Sequence, residues 1–232
     1  MQTESKALAL IVGAGSGLSG SLARQCASAG MRVALAARNI DKLKSFADAR
    51  LYACDVVDPA QVAALFAALG RDCGVPELVV YNPSYRARGA ITALDPEEVR
   101  RTLLVTAFGG FLVAQAAAKR MLERGRGSLF FTGASASIKG YAESAPFAMG
   151  KFALRALAQS LARELGPKGI HVAHFVIDGG ILKAGGDARA ASRGENGMLD
   201  PEAIAEAYLS THRQQRSAWT FELDLRPWTE RF

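Results

Sequence analysis

Two short stretches of the chain carry residue types whose spacing could do chemistry. "IVGAGSGLSGSLAR" (11–24) follows an apolar run and opens a helical pattern. Gly13, Gly15 and Gly17, with Ser16 and Leu18 between and after them, allow a tight turn. Backbone N–H groups can then approach a pyrophosphate at the helix N-terminus. "PFAMGKFALRALAQSLAREL" (146–165) reads as one amphipathic helix with Phe147 and Lys151 on one face, four residues apart. An ammonium this close to the positive end of a helix gains nothing from the dipole, so its place needs another reason. The ring one turn before it has no proton to give.

Other candidates surround these two. "ALAARN" ends a second apolar run, with Ala37 offering no carboxylate and Arg38 following it. An acidic residue there meets a free ribose 2′-hydroxyl, whereas an arginine fork suits a 2′-phosphate, which favours NADP(H) over NAD(H). Ser135, Ser137, Tyr85 and Tyr141 supply hydroxyls, Tyr141 standing six residues before Phe147. His171 and His174 lie three apart on one strand and point to opposite faces, so they form no metal pair. No metal is expected.

The elements that must position these groups follow from periodicity. Strands are predicted at 7–12, 32–37, 51–54, 78–82, 128–133, 170–177 and 218–223. Helices are predicted at 17–29, 39–48, 59–70, 96–124 (broken), 146–165 and 201–214. Continuous apolar strands alternating with helices indicate a parallel sheet covered on both faces. The expected fold is a single α/β domain over 1–232, a Rossmann-type doubly wound sheet of about seven strands, with its ligand crevice at the strand carboxyl ends. Asp58-Pro59 and Asp95-Pro96 place a capping carboxylate before a first-turn proline, and Ser144 suits the start of the helix that carries Lys151. The glycine-rich segment 179–200 is long enough to cover a substrate.

Composition narrows the function classes. In 232 residues with a net charge of +6, the basic residues are scattered among acidic ones, which argues against a nucleic-acid platform. Three cysteines without metal spacing read as reduced thiols. No apolar run approaches the roughly 18 residues of a membrane span. The N-terminus lacks the features of a signal peptide. A cytoplasmic protein is expected.

Taken together, these residues resemble the short-chain dehydrogenase/reductase family over nearly the whole chain. "GAGSGLS" resembles the family's G-x-x-x-G-x-G turn, and "CDV" its aspartate-hydrophobic pair, which implies Asp55 and Val56 near an adenine. In "VVYNPS" only Asn82 survives of the family's N-N-A-G, and "VTAFGGF" has Thr106 where the family has asparagine. "VIDGGI" resembles the segment after the sixth strand, implying that Gly179 and Ile181 approach a nicotinamide. Lys151 matches the lysine of Y-x-x-x-K, which implies a bond to the nicotinamide ribose, but Phe147 stands where the family has its acid/base tyrosine. The family's serine position falls on Ala134, with Ser135 beside it and Ser137 beyond.

The resemblance thus implies an NADP(H)-dependent oxidoreductase acting on a small carbonyl or alcohol with an altered catalytic set drawn from Lys151, Ser135, Ser137, Tyr141 and Thr106. The alternative is a nucleotide-binding protein that has lost turnover and serves as a sensor or scaffold. The family also implies a homodimer or homotetramer, for which Trp219, Phe221 and Trp228 are candidate interface residues unless they cover the chain's own edge strand. Neither nucleic acid nor membrane is an expected partner.

Overall fold

A computed structural model describes residues 6–183 and 185–230. The reading of the extreme N-terminus therefore falls partly outside the described residues. Seven strands form one parallel sheet: β1 (Leu8–Val12), β2 (Arg32–Ala37), β3 (Arg50–Ala53), β4 (Leu78–Tyr81), β5 (Gly127–Thr132), β6 (Ile170–Ile177) and β7 (Glu222–Leu225). Their order is β3-β2-β1-β4-β5-β6-β7. It reverses between β1 and β4, the point at which such sheets open a crevice.

Alternate residues of one strand feed two cores. Leu8, Leu10 and Val12 of β1 join a cluster built from α2 (Pro59–Asp72), α4 (Gly109–Arg124) and α5 (Ala145–Leu165). Ala9 and Ile11 face the other side, against α1 (Leu18–Ser28) and α7 (Pro201–His212). Both faces being buried explains why the strands read as unbroken apolar runs. A four-residue helix, α6 (Ala190–Arg193), lies within the 179–200 segment, which is tied back on itself by a bridge between Ile181 and Leu199.

Caps follow the predicted chemistry at α2 and at α3 (Pro96–Leu103), where the Asp58 and Asp95 carboxylates accept from first-turn N–H groups. Asp200 does the same for α7. Ser144 is the first residue before α5, but its hydroxyl makes no capping bond, so the proline in the first turn is the sequence signal that holds there.

Four expectations are corrected. The helix predicted over 39–48 is only a 3₁₀ turn, Asp41–Leu43. Leu43, Phe46 and Ala49 each donate an N–H three residues back, to Ile40, Leu43 and Phe46, so the apolar spacing of three is satisfied by successive tight turns. The last strand lies at 222–225 rather than 218–223. Trp219 instead stacks on His171 at 4.7 Å and Phe221 packs on the core, so these aromatics cover the chain's own edge while Trp228 stays exposed.

The 96–124 stretch is not broken. A π-turn at Leu104–Phe108 joins α3 to α4 in one helix. That helix, Pro96–Arg124, does contain an 18-residue window apolar enough for a membrane span, with mean hydropathy 1.4. Its Val113, Ala114, Ala117 and Met121 are buried in the core, while Phe108 and Phe111 of the same helix are exposed.

Candidate functional site

At the reversal between β1 and β4 lies a cleft of about 530 Å³, lined among others by Gly13, Arg38, Asp55, Val56 and Asn82. They come from the turns after four strands, β1, β2, β3 (which supplies both Asp55 and Val56) and β4. Gly13 has φ +79°, and a Cβ there would sit 2.6 Å from the backbone nitrogen of Pro83, so only glycine fits the turn. Gly15 and Gly17 would carry a Cβ into open space. Their bareness leaves the backbone approachable, as a phosphate requires. Leu18 begins α1 and is buried, anchoring the turn from below. The Asn82 amide donates to the Ser19 hydroxyl at 2.7 Å, and Ser19 donates to the Gly13 carbonyl at 3.2 Å, joining the two halves of the sheet across the cleft.

The wall beyond β2 is cationic. Arg38 lines the cleft with Asn39 and Lys42, and among the described residues neither cation makes an ion pair or hydrogen bond. Lys42 was missed in sequence because it falls in a segment expected to be helical. Its presence follows from the 3₁₀ turn that swings residues 41–43 back toward the strand end. Asp55 is the single acidic residue of the lining, its backbone N–H held by the Gln61 side chain at 2.9 Å.

A second group stands around β5 and α5. Lys151 is buried and donates from Nζ to the Thr132 carbonyl at 2.7 Å. Burial without a carboxylate partner pulls its pKa down from 10.5 to about 8. Its ammonium lies 5.9 Å from the Phe147 ring centroid. Thr106 is fully buried in the π-turn and packs on Gly150, where a Cβ would meet it at 3.0 Å. Its Oγ1 accepts from the Tyr85 N–H at 3.5 Å, so it orders the loop after β4.

The candidate hydroxyls differ. The Ser137 Oγ is buried and accepts from the Ala134 N–H at 3.1 Å, closing its own turn. Ser135 is partly exposed, and among the described residues its hydroxyl has no partner. Tyr141 is largely exposed with Lys139 near its ring, and no described contact joins it to Phe147 or Lys151. Tyr85 is committed to Glu98 at 2.5 Å. His174 is buried beside this group, bound through Nδ1 to Glu222 at 2.9 Å. Burial, with smaller opposing help from Glu222, leaves its pKa at about 4, so it is neutral.

Gly179 and Ile181 are not in the cleft lining; they follow β6. Gly179 has φ +151°, and a Cβ would meet Pro227 at 2.7 Å, so the C-terminal segment holds this turn. Asp178 before it is buried between Lys139 at 3.8 Å and Arg226 at 3.9 Å.

Residues 7–190 match the family model described as short chain dehydrogenase. A short-chain dehydrogenase from Rhodopseudomonas palustris is 32% identical, with a TM-score of 0.81 over 95% of this chain and 99% of that one. D-threitol dehydrogenase of Mycolicibacterium smegmatis is 28% identical over 71% of this chain and 66% of its own length. An uncharacterised oxidoreductase of Staphylococcus aureus (strain N315) is 27% identical over 95% of this chain and 96% of its own.

Proposed function

The chain belongs to the short-chain dehydrogenase family, and we propose that it is an NADP(H)-dependent oxidoreductase that interconverts a carbonyl and an alcohol without a tyrosine acid. The observation that carries this reading is the pair of unpaired cations, Arg38 and Lys42, in a cleft whose opposite wall is the glycine turn. The residues fit the cofactor. The bare backbone at Gly15 and Gly17 is open to a pyrophosphate, Arg38 and Lys42 suit a 2′-phosphate, and Asp55 with Val56 flanks the adenine side. Lys151 would hold the nicotinamide ribose, and the backbone of Gly179 and Ile181, after β6, would approach the nicotinamide.

A bound nicotinamide would supply or accept the hydride. The chain's own task is then the proton at the substrate oxygen. Phe147 occupies the family's tyrosine position and has no proton to offer. Lys151, with its pKa near 8, exchanges protons close to neutrality, which suits a general acid. The Ser135 hydroxyl, without a partner among the described residues, would hydrogen-bond the substrate oxygen, and Ser137 and Thr106 hold the turn and helix near it. Tyr141 would have to move to take part.

Cytoplasmic placement and a homo-oligomer complete the proposal. Phe108, Phe111, Met149 and Phe152 are exposed on the π-turn, α4 and α5, an apolar set that a second copy of this chain would cover.

The test is titration with NADPH and NADH, following nucleotide fluorescence, for the wild type, R38A, K42A and K151A. NADPH should bind more tightly than NADH. R38A and K42A should each weaken NADPH about 10- to 100-fold, the worth of a charge-assisted hydrogen bond, and leave NADH nearly unchanged. Failure of both nucleotides to bind overturns the reading. Binding without turnover across a broad carbonyl panel would favour the sensor instead.

A further inference from the structure

The face of Phe147 carries a second cation. Arg86 leaves the carboxyl end of β4 in the stretch "NPSYRARG" (82–89), and its guanidinium carbon lies 4.6 Å from the ring centroid. Lys151 Nζ is 5.9 Å from the same centroid, so one aromatic ring sets the spacing of the two charges. Among the described residues Arg86 makes no hydrogen bond and no ion pair. Arg86 is exposed, yet partial desolvation and the neighbouring Arg88 both lower its pKa and no carboxylate offsets them.

Several arginines of this chain spend their N–H groups on carboxylates, and others, such as Arg120 and Arg163, on backbone carbonyls. Arg155 makes two bonds to Glu222, Arg189 is bound to Asp187, and Arg24 to Glu202. Arg86 does neither, yet the backbone on either side of it is held. Tyr85 before it is bound through its N–H to Thr106 and through its hydroxyl to Glu98. Ala87 after it is buried, and the Gly89 N–H donates to the Glu143 carbonyl at 3.1 Å, stapling the loop to the turn that precedes α5. An aromatic face orients the guanidinium plane and leaves its donors free.

We propose that Arg86 is a substrate-binding residue that receives an oxyanion, a carboxylate or a phosphate, carried by the substrate near its reacting carbon. The substrate class is therefore an anionic keto or hydroxy compound. This rests on the oxidoreductase reading for the reaction, although the anion site itself does not require turnover. Arg86 offers the two parallel donors that such a group accepts. Lys151, near the same ring, is left for the substrate oxygen, so the two cations divide the two ends of the molecule between them.

Anion binding and turnover test the two readings separately. Calorimetric titration of the NADP+-saturated and the nucleotide-free protein with oxalate, and separately with inorganic phosphate, is compared for wild type, R86A and R86K. The expected result is binding of one or both anions that weakens about 10- to 100-fold in R86A and is partly restored in R86K, with NADPH affinity unchanged in both variants. Preference for oxalate or for phosphate assigns the group. No binding of either anion, or equal binding by wild type and R86A, overturns the proposal. In parallel, NADPH consumption is measured with small keto acids and their methyl esters. Turnover that favours the acid over the ester, with that preference lost in R86A, supports the proposal; equal turnover of acid and ester overturns it. Arg86-dependent anion binding without turnover of any carbonyl would sustain the site and overturn the oxidoreductase reading alone.

Discussion

Restoring a hydroxyl at position 147 is the sharpest perturbation of the proposed chemistry. In F147Y the phenol would share the existing ring position, with the Lys151 ammonium 5.9 Å from the ring centroid. Taking that distance as the charge separation and an effective dielectric constant of about 20, the attraction between ammonium and phenolate is roughly 3 kcal/mol, and the Arg86 guanidinium 4.6 Å from the same centroid acts in the same direction. That is about a hundredfold in acidity, which would bring the phenol from roughly 10 to roughly 8. The coupling is reciprocal, so Lys151 rises from about 8 by a similar amount while the phenolate is present. A proton donor poised near neutrality typically contributes about 10²- to 10⁴-fold in rate, and F147Y should gain within that range on any carbonyl the wild type reduces.

Two assays read this. Ultraviolet difference spectra of F147Y minus wild type, in which the five native tyrosines cancel, follow the phenol as pH rises. NADPH consumption gives the pH–rate profile. A phenol titrating at about 10 or above in a folded variant would mean that the ammonium does not act at this ring, and would refute the reasoning whatever the rate.

Three further outcomes are expected. Below pH 8 the buried Lys151 is charged in both the native and the unfolded chain, and its burial opposes folding; between about 8 and 10.5 only the unfolded chain keeps the proton, so stability rises with pH. The gain is of order 3 kcal/mol and should be missing in K151M; parallel urea-midpoint profiles for the two proteins would contradict the burial of this charge. G13A forces a Cβ against Pro83 at φ +79° and should lose about 2 kcal/mol or more, whereas G15A, with open space, should change stability little while weakening NADPH; equal thermal losses would show that the two glycines do not have these distinct roles. F111E combined with F152E should convert an oligomer to a monomer in light scattering, and an unchanged mass would remove these rings from the interface.

Much of this arrangement was legible in sequence because burial on both faces leaves little choice of residue. β6, "IHVAHFVI", was read to its exact ends since all eight residues are buried. The cleft residues Gly13, Arg38, Asp55 and Asn82 were legible because each ends an apolar run. Elements held by particular side chains were not legible. Nothing in "NIDKLKSFADA" distinguishes an α-helix from consecutive 3₁₀ turns until Leu43 and Phe46 find their packing partners, and Lys42 was lost with it. The strand at 222–225 was misplaced because Trp219 and Thr220 look strand-like but are held by His171 and Gln214. Arg86 had no signal at all in the chain, since its contact with Phe147 links positions 61 apart that only the fold brings together.

The strand order also sets the tempo of assembly. Every neighbour in the sheet is parallel, so no pairing can begin from a tight hairpin. β1 pairs with β2 after one helix, but with β4 only across β2, β3 and α2 in sequence. The seam between β1 and β4 is thus a long-range closure of the kind that slows folding. The same seam is the floor of the cleft, and Asn82, Ser19 and Gly13 latch it. A nucleotide spanning the seam would hold the two halves of the chain together, favouring the completed sheet by mass action and slowing its opening. Protection of the β1 and β4 amides against hydrogen exchange should therefore respond to nucleotide more than that of β7, at the far edge.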